Sequence, residues 1–387
     1  MTPDSPVADV VIVGSGPVAM AIGYAFTQRG MRDVLVCPAG SDDAAALGVF
    51  GAFGAFGGPG PGGGAVYRPA TAPALAAMAE AGIRLFENAS DELGEDVGFR
   101  RCGRLVAVAA ADPDAPDAGV GTPGALDIGV RRMSPGEAGT HWPELIVDAC
   151  TGFTHDPGAG YADTRRTAHA FARAARRAGA AFLPRAPAVG LSARRDRITG
   201  VRLGDGREVA CGTVVVAAGV DAPALLAPLG VSLPLRSARE VAVRVRVGRA
   251  LGERPVLVDP SGHWLRADGP DRLLVGTPDP GAAGADPAAH ALAHLAARLP
   301  GLPDPVPEAV FDIRRDAGPD HLPLIGSTGP DGLFVAAGCD EHGLGVVPAV
   351  GMLTADLLCD GASGRPDIPA GDFRPDRPAG VLSPGRA

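Results

Sequence analysis

"VVIVGSGPVAMAI", residues 10–22, decides how this chain is read. Residues 10–13 are an unbroken apolar run, as suits a parallel strand buried on both faces. Gly14-Ser15-Gly16-Pro17-Val18-Ala19 follows, and residues 20–29 read as a helix stopped by Gly30. Residues 34–36 supply the next strand. Strand, glycine turn, helix and strand in that order make a βαβ unit. Gly14 suits the tight turn, Gly16 lets backbone N–H groups approach a pyrophosphate, and the small Ala19 lets helix and strand pack closely. The positive end of the helix dipole then faces the phosphates. The spacing predicts a dinucleotide-binding unit; the competing reading is a purely structural turn.

The next landmark is a departure. Where the second strand of such a unit usually ends in an acid, this one ends in Cys37-Pro38. Residues 44–67, "AAALGVFGAFGAFGGPGPGGGAVY", are uncharged and glycine-rich. They read either as a linker or, given Phe50, Phe53 and Phe56, as a loop whose glycines let backbone pass close to a flat ligand. Residues 72–93 read as helices, "VGFRRCGRLVAVAA" (97–110) as a strand entering a second domain, and 110–129 as a surface loop. The α/β pattern then returns. Residues 164–177 predict a helix with Asp163 as N-cap, 181–183 a short strand, 204–206 a Gly-Asp-Gly turn, and "TVVVAAG" (213–219) a buried strand ending in small residues. "EVAVRVRV" (240–247), "RPVLVDP", "GHWLRAD" and "DRLLVGT" alternate like antiparallel strands with one wet face, fit to roof a substrate. A helix over 287–299 starts at Pro287. "GLFVAAGCDEHGLGVVPAVGMLTADLL" (332–358) is strand, glycine turn and helix, a second cofactor-facing element.

Composition narrows the functional classes. A chain of 387 residues, 46 % hydrophobic and 20 % charged, predicts a packed protein of about two domains. Its formal net charge of −9 argues against nucleic acid as partner. All 35 basic residues are arginine, so no Schiff-base lysine exists and any anion clamp must be a guanidinium. Biased coding, which also fits 56 Gly and 38 Pro, is the plainer source of that absence. The six cysteines show no CxxC pair or metal-ligand spacing, and His290 and His294, four apart without a third ligand, read as surface residues; no metal is expected. The unpaired cysteines and the lack of a basic leader at the first residues point to the cytoplasm. Residues 10–28 carry no charge, but the Gly14–Pro17 break argues against a membrane span.

Assembled in order, "VVIVGSGPVAMAIGYAFTQRG", "GYADTRRTAHAFARAARRAGA", "TVVVAAGVDAPAL" and "PDHLPLIGSTGPDGLFVAAGCDEHGLGVVPAVG" resemble the FAD-dependent D-amino-acid oxidase superfamily, in its glycine oxidase and sarcosine oxidase branch. The resemblance covers most of the chain. It implies a mixed α/β fold: a Rossmann-like FAD-binding domain of glutathione-reductase type, plus a substrate domain with a mostly antiparallel or mixed sheet. The FAD domain would take residues 1–85, 151–230 and 309–387, the substrate domain 86–150 and 231–308. The implied cofactor is FAD. The implied reaction takes a hydride from the carbon beside an amine of an amino acid or N-substituted glycine, after which the imine hydrolyses and dioxygen or another acceptor reoxidises the flavin.

Residue by residue, the resemblance assigns Gly14, Gly16, Pro17 and Ala19 to the pyrophosphate turn and Val189 to the adenine. It assigns Ala218 and Gly219 to the cofactor-contacting strand end, and Gly338, Gly343, Leu344 and Gly345 to the turn beside the flavin ring. Arg315, five residues before the Asp of "PDHLP", occupies the place of the substrate-carboxylate clamp; a surface or ion-pair arginine is its alternative. Arg314 would point the other way. His342 reads as a proton shuttle or flavin contact, or as a structural loop histidine; Glu341 as a partner of a cationic amine, or as a surface acid. His263 and Arg266 lie on the roof strands and either line the pocket or face solvent. Three departures stand out: Pro38 in place of the ribose-binding acid, for which Asp42 or Asp43 could substitute; Glu341 where glycine oxidase has a basic side chain; and no lysine to assist dioxygen reduction. A cofactor-poor binding protein and a flavin hydroxylase are the rival functions, the latter disfavoured by "GYADTRRTAHAF" and "PDHLPLIG".

Overall fold

The computed structural model describes residues 7–39, 64–69, 72–109, 129–147, 150–278 and 286–377. Asp42, Asp43, Phe50, Phe53, Phe56 and residues 110–128 lie outside them. Two eight-stranded sheets organise the chain.

The first sheet is the nucleotide-binding one. Its order is Leu324–Ser327, Leu333–Ala337, Glu208–Val216, Val7–Val13, Val34–Cys37, Ala181–Phe182, with Ala188–Ala193 and Ile198–Leu203 as an antiparallel extension. Val7–Val13 runs parallel to both neighbours, and Val13 lies level with Val216 on one side and Cys37 on the other. Three strands therefore end together, and ligands of such sheets bind beyond that edge. Helices Pro17–Gln28, Thr164–Arg177, Pro73–Glu87 and Val347–Asp360 cover one face, where Ile12, Met20, Ile22, Phe26 and Phe171 are buried. The helix expected from residue 20 begins at Pro17. Proline at the first helical position has φ preset and no N–H to leave unpaired, so Gly16 becomes the N-cap. Asp163 caps the Thr164 helix, its carboxylate accepting from Arg166 N at 2.9 Å.

The second sheet runs Val306–Ala317, Arg236–Arg246, Arg272–Pro278, Trp264–Ala267, Val256–Val258, Arg104–Ala109, Cys150–Asp156, Arg131–Met133. All described pairings are antiparallel except Val256–Val258 with Arg104–Ala109. Period-two alternation divides its side chains. Val243, Val245, Leu265, Leu273 and Val275 pack with helix Pro287–Arg298 on one face. The opposite face turns toward the first domain: Arg104 lies over the Tyr67 ring at 4.1 Å and Arg266 over Tyr161 at 4.6 Å. This sheet takes in Cys150–Asp156 and Val306–Ala317, so it reaches across the positions 150/151 and 308/309 that the sequence suggests as boundaries. A strand belongs with the partners that satisfy its backbone, and those partners are remote in sequence.

Candidate functional site

The site is built from three loops and one strand. At the first loop, Gly14 N–H donates to Cys37 O at 2.9 Å. A Cβ on Gly14 would lie 2.1 Å from the Ala217 carbonyl oxygen, so only glycine lets the turn close against the neighbouring strand. Gly16 differs: a Cβ there would meet nothing within 4 Å. Its helix has no side-chain cap and no acid in its first turn. Open space in front of uncapped N–H groups at a helix N-terminus fits a pyrophosphate. Ala19 is fully buried behind the turn.

The adjoining strand ends complete this edge. Ala217 N–H donates to Val13 O at 2.8 Å, and Gly219, at φ +55°, turns the chain away after Ala218. Ala188 N–H donates to Pro38 O at 2.8 Å, which places Val189, 45 % exposed, beside the end of the second strand. Pro38 thus contributes its carbonyl to the fold and has no side-chain group for a ribose.

The third loop, 338–345, is held by close backbone contacts. Gly338 (φ +73°) donates its N–H to Asp316 Oδ2 at 2.6 Å. A Cβ on Gly343 (φ +66°) would lie 2.3 Å from Ala65 O, and one on Gly82 only 1.8 Å from Gly345 O. Leu344 is buried. His342 is buried as well, and its Nε2–H donates to the His321 carbonyl. Burial first holds this imidazole below its usual range, so it stays neutral and pins the loop. His321 Nδ1 lies 2.6 Å from Glu341 Oε1, and its Nε2 lies 3.2 Å from Arg236 Nη2. A guanidinium can only donate, so Nε2 accepts and Nδ1–H donates to Glu341. Glu341 Oε2 has no hydrogen-bond partner among the described residues.

Arg315 projects from Val306–Ala317 on the same face as Phe311 and Ile313, while Arg314 points outward toward Asp221, 3.8 Å away. The Arg315 Nε lies 2.5 Å from Glu240 Oε2. Glu240 Oε1 accepts from the Trp264 indole N–H. Trp264 lies across Gly276, where a Cβ would be 1.9 Å from the ring. The next residue, Asp316, is buried and accepts from the N–H groups of Gly338 and Asp340, so the strand end that carries Arg315 is tied to the 338–345 loop.

Several of these residues were not singled out by sequence reasoning. Glu240 and Arg244 sit at alternate positions of "EVAVRVRV", so their shared face was readable, but their partners were not. Arg104, Tyr67 and Gly82 gave no local signal. Two expectations change. His263 stacks on His294 with ring centres 4.5 Å apart, so it faces the covering helix and not the pocket. His294 is accordingly half-buried and not a surface residue. Arg266 is buried on the inward face. Among the described residues no group of three or more His, Cys, Asp or Glu is placed to hold a metal.

Residues 9–357 match the family described as DAO, FAD dependent oxidoreductase. The glycine oxidase of Geobacillus kaustophilus (strain HTA426) is 30 % identical over 376 residues, covering 90 % of this chain and 92 % of that one. The crystal structure of glycine oxidase from Geobacillus kaustophilus superposes with a TM-score of 0.74 at 25 % identity, over 92 % of this chain and 95 % of the other. L-Proline dehydrogenase from P. horikoshii shares the fold, with a TM-score of 0.79 at 19 % identity over 96 % and 97 % of the two chains. With the pyrophosphate turn and the 338–345 loop inside the matched region, the chain belongs to the DAO family of FAD-dependent oxidoreductases.

Proposed function

We propose that this enzyme oxidises a C–N bond of a small amino acid or N-substituted glycine. The observation that carries the reading is the setting of Arg315. Glu240 engages its Nε while the Arg315 side chain stays 28 % exposed, and a guanidinium fork suits a second carboxylate. Bound FAD would accept the hydride from the carbon beside nitrogen and pass the electrons to dioxygen or another acceptor. Arg315 orients the substrate by its carboxylate. Glu341 Oε2, buried and without a partner among the described residues, would accept from the substrate amine. A neutral amine leaves as a protonated imine once hydride departs, so no side chain need abstract a proton; water then hydrolyses the imine. The 338–345 loop would place backbone N–H groups near the flavin ring, where they stabilise growing negative charge.

We assign Arg315, Glu341 and His342 to the substrate side of the site, with His342 positioning the loop. Six free cysteines support a reducing compartment such as the cytoplasm. No helix among the described residues is long and apolar enough to cross a membrane. The test is anaerobic titration of the yellow holoprotein with primary and secondary amino acids. Bleaching of the flavin bands by an amino acid supports the proposal; a flavin reduced only by substrates without a C–H beside nitrogen sinks it.

A further inference from the structure

A cleft of about 860 Å³ lies under the second sheet, between its inward face and residues 98–102 and 161–166. It is strongly basic in an acidic protein: seven arginines line it against three carboxylates, Asp163, Glu253 and Asp268. The charge is only partly compensated. Arg244 Nε lies 2.6 Å from Asp268 Oδ2, and Arg266 Nη1 lies 3.5 Å from Asp268 Oδ1, so one carboxylate serves two guanidiniums. Arg266 is itself 4 % exposed. At the rim, Arg101 pairs with Glu87 and Arg166 with Asp96, and deeper in, the largely buried Arg254 pairs with Glu144. Arg100 and Arg165, both exposed, have no ion-pair partner among the described residues. Two guanidiniums that share Asp268 at the back, and two at the mouth with no ion-pair partner among the described residues, make an anion site by field and by geometry.

Strand parity connects this cleft to Arg315. Arg244 follows Glu240 by four residues, Arg266 follows Trp264 by two, and Phe311 precedes Arg315 by four. All therefore share one face. Arg244 pairs across Leu274 with Arg266, and its guanidinium lies 5.2 Å from the Phe311 ring centre. Arg315 lies level with Ala238, six strand residues from Arg244 and so about 20 Å along the sheet, a span that two inclined arginine side chains shorten from either end. We infer that this cleft binds a second, distal anionic group of the substrate, a carboxylate or a phosphate. The preferred substrate is then an amine with an acid at each end. This inference rests on the amine-oxidation reading for its chemistry but not for the binding it asserts.

The experiment compares isosteres that differ only in distal charge: glutamate with glutamine, and 2-aminoadipate with its side-chain amide, in the configuration the holoenzyme accepts. The inference expects kcat/KM to favour the acid, with the preference falling as salt rises. An Arg100→Gln/Arg165→Gln variant should raise KM for the acid about three- to tenfold with kcat unchanged and leave the amide unaffected. Arg244→Gln should do the same more strongly. Equal kcat/KM for acid and amide, or equal effects of the variants on both, overturns it. If no amine reduces the flavin, the amine-oxidation reading fails on its own, and the cleft is tested by calorimetry of the holoprotein with glutarate and its monoamide. Tighter glutarate binding that the rim variant weakens supports the cleft; binding that the variant leaves unchanged overturns it. Parallel titration with a phosphate-bearing amine, O-phosphoserine, separates the two anion types.

Discussion

Replacing Arg315 with alanine removes two things that can be measured apart. The first is the fork offered to a substrate carboxylate. Loss of a hydrogen bond to a charged group costs about 1.5–3 kcal/mol, so kcat/KM should fall roughly ten- to 150-fold for each bond lost. The second is the counter-ion of Glu240, whose side chain is 14 % exposed and faces Arg315 at 2.5 Å. A half-buried carboxylate left with only the Trp264 N–H should lower stability by about 1–3 kcal/mol. Arg315→Lys separates the two, because an ammonium still neutralises Glu240 but cannot copy the fork. The lysine variant should keep most of the thermal stability and lose most of the activity on carboxylate substrates. Arg315→Ala combined with Glu240→Gln should recover stability and leave activity low. The assays are thermal unfolding of holoprotein and initial rates at substrate well below KM, with the flavin spectrum as control. A kcat/KM unchanged in Arg315→Ala would refute the clamp. Full activity in Arg315→Lys would refute the geometric part of the reasoning, leaving charge alone as the requirement.

Four further outcomes are expected. Gly82→Ala places a Cβ 1.8 Å from Gly345 O, so helix or loop must shift by over an ångström; FAD affinity, read by reconstitution of apoprotein, should drop before the far-UV spectrum changes. Gly276→Ala drives the Trp264 ring off its seat; the indole emission should shift, and unfolding should occur about 1–3 kcal/mol earlier, while Gly16→Ala, which meets nothing within 4 Å, should weaken FAD without altering apoprotein stability. His294 is pushed down to about 4, by burial first and by His263 second, and His169 also lies at about 4, by burial first and then by Arg173. The unfolded chain takes up protons near ~6.5 that the folded chain refuses, so stability falls as pH drops from that value toward 4. His294→Gln should flatten this slope, and an unchanged slope in denaturant titrations at several pH values would contradict the assignment.

Much of this was legible in the sequence because its causes are local. The turn at 14–19 declares itself through residues whose size and conformational freedom are fixed by contacts a few positions away, and Asp163 caps its own helix. Strand alternation in 240–247 separates inward from outward residues for the same reason. Arg315 and Arg314 fall on opposite faces because a pleated strand allows nothing else. What the sequence withheld are pairings over long separations. Glu240 meets Arg315 and Trp264 only because strand pairings over long sequence separations bring residues 240, 264 and 315 into one sheet. Gly82 has no turn conformation to explain it. Its requirement is a carbonyl at residue 345, delivered by packing of two helices that the chain separates by more than two hundred residues. The sheet likewise absorbs Cys150–Asp156, whose sequence carries no mark distinguishing it from the segment that follows.

The charge pattern shows how one composition serves two ends. A formal charge of −9 describes the whole surface and says little about the inward face of the second sheet. Outward pairs such as Arg239 with Asp312, at 2.9 Å and about half-exposed, are solvated and contribute little, of order 0–1 kcal/mol each. Inward, the same residue type meets fewer carboxylates in a lower dielectric. Burial holds the guanidiniums of Arg104 and Arg266 below their ordinary range, yet an arginine so far above neutrality keeps its proton. A lysine in those positions would discharge instead, because its pKa yields readily to burial. Arginine alone therefore keeps permanent positive charge on a half-buried wall. The cost of desolvating that charge is recovered when an anion binds, and an anionic substrate gains most where the protein's own carboxylates are fewest.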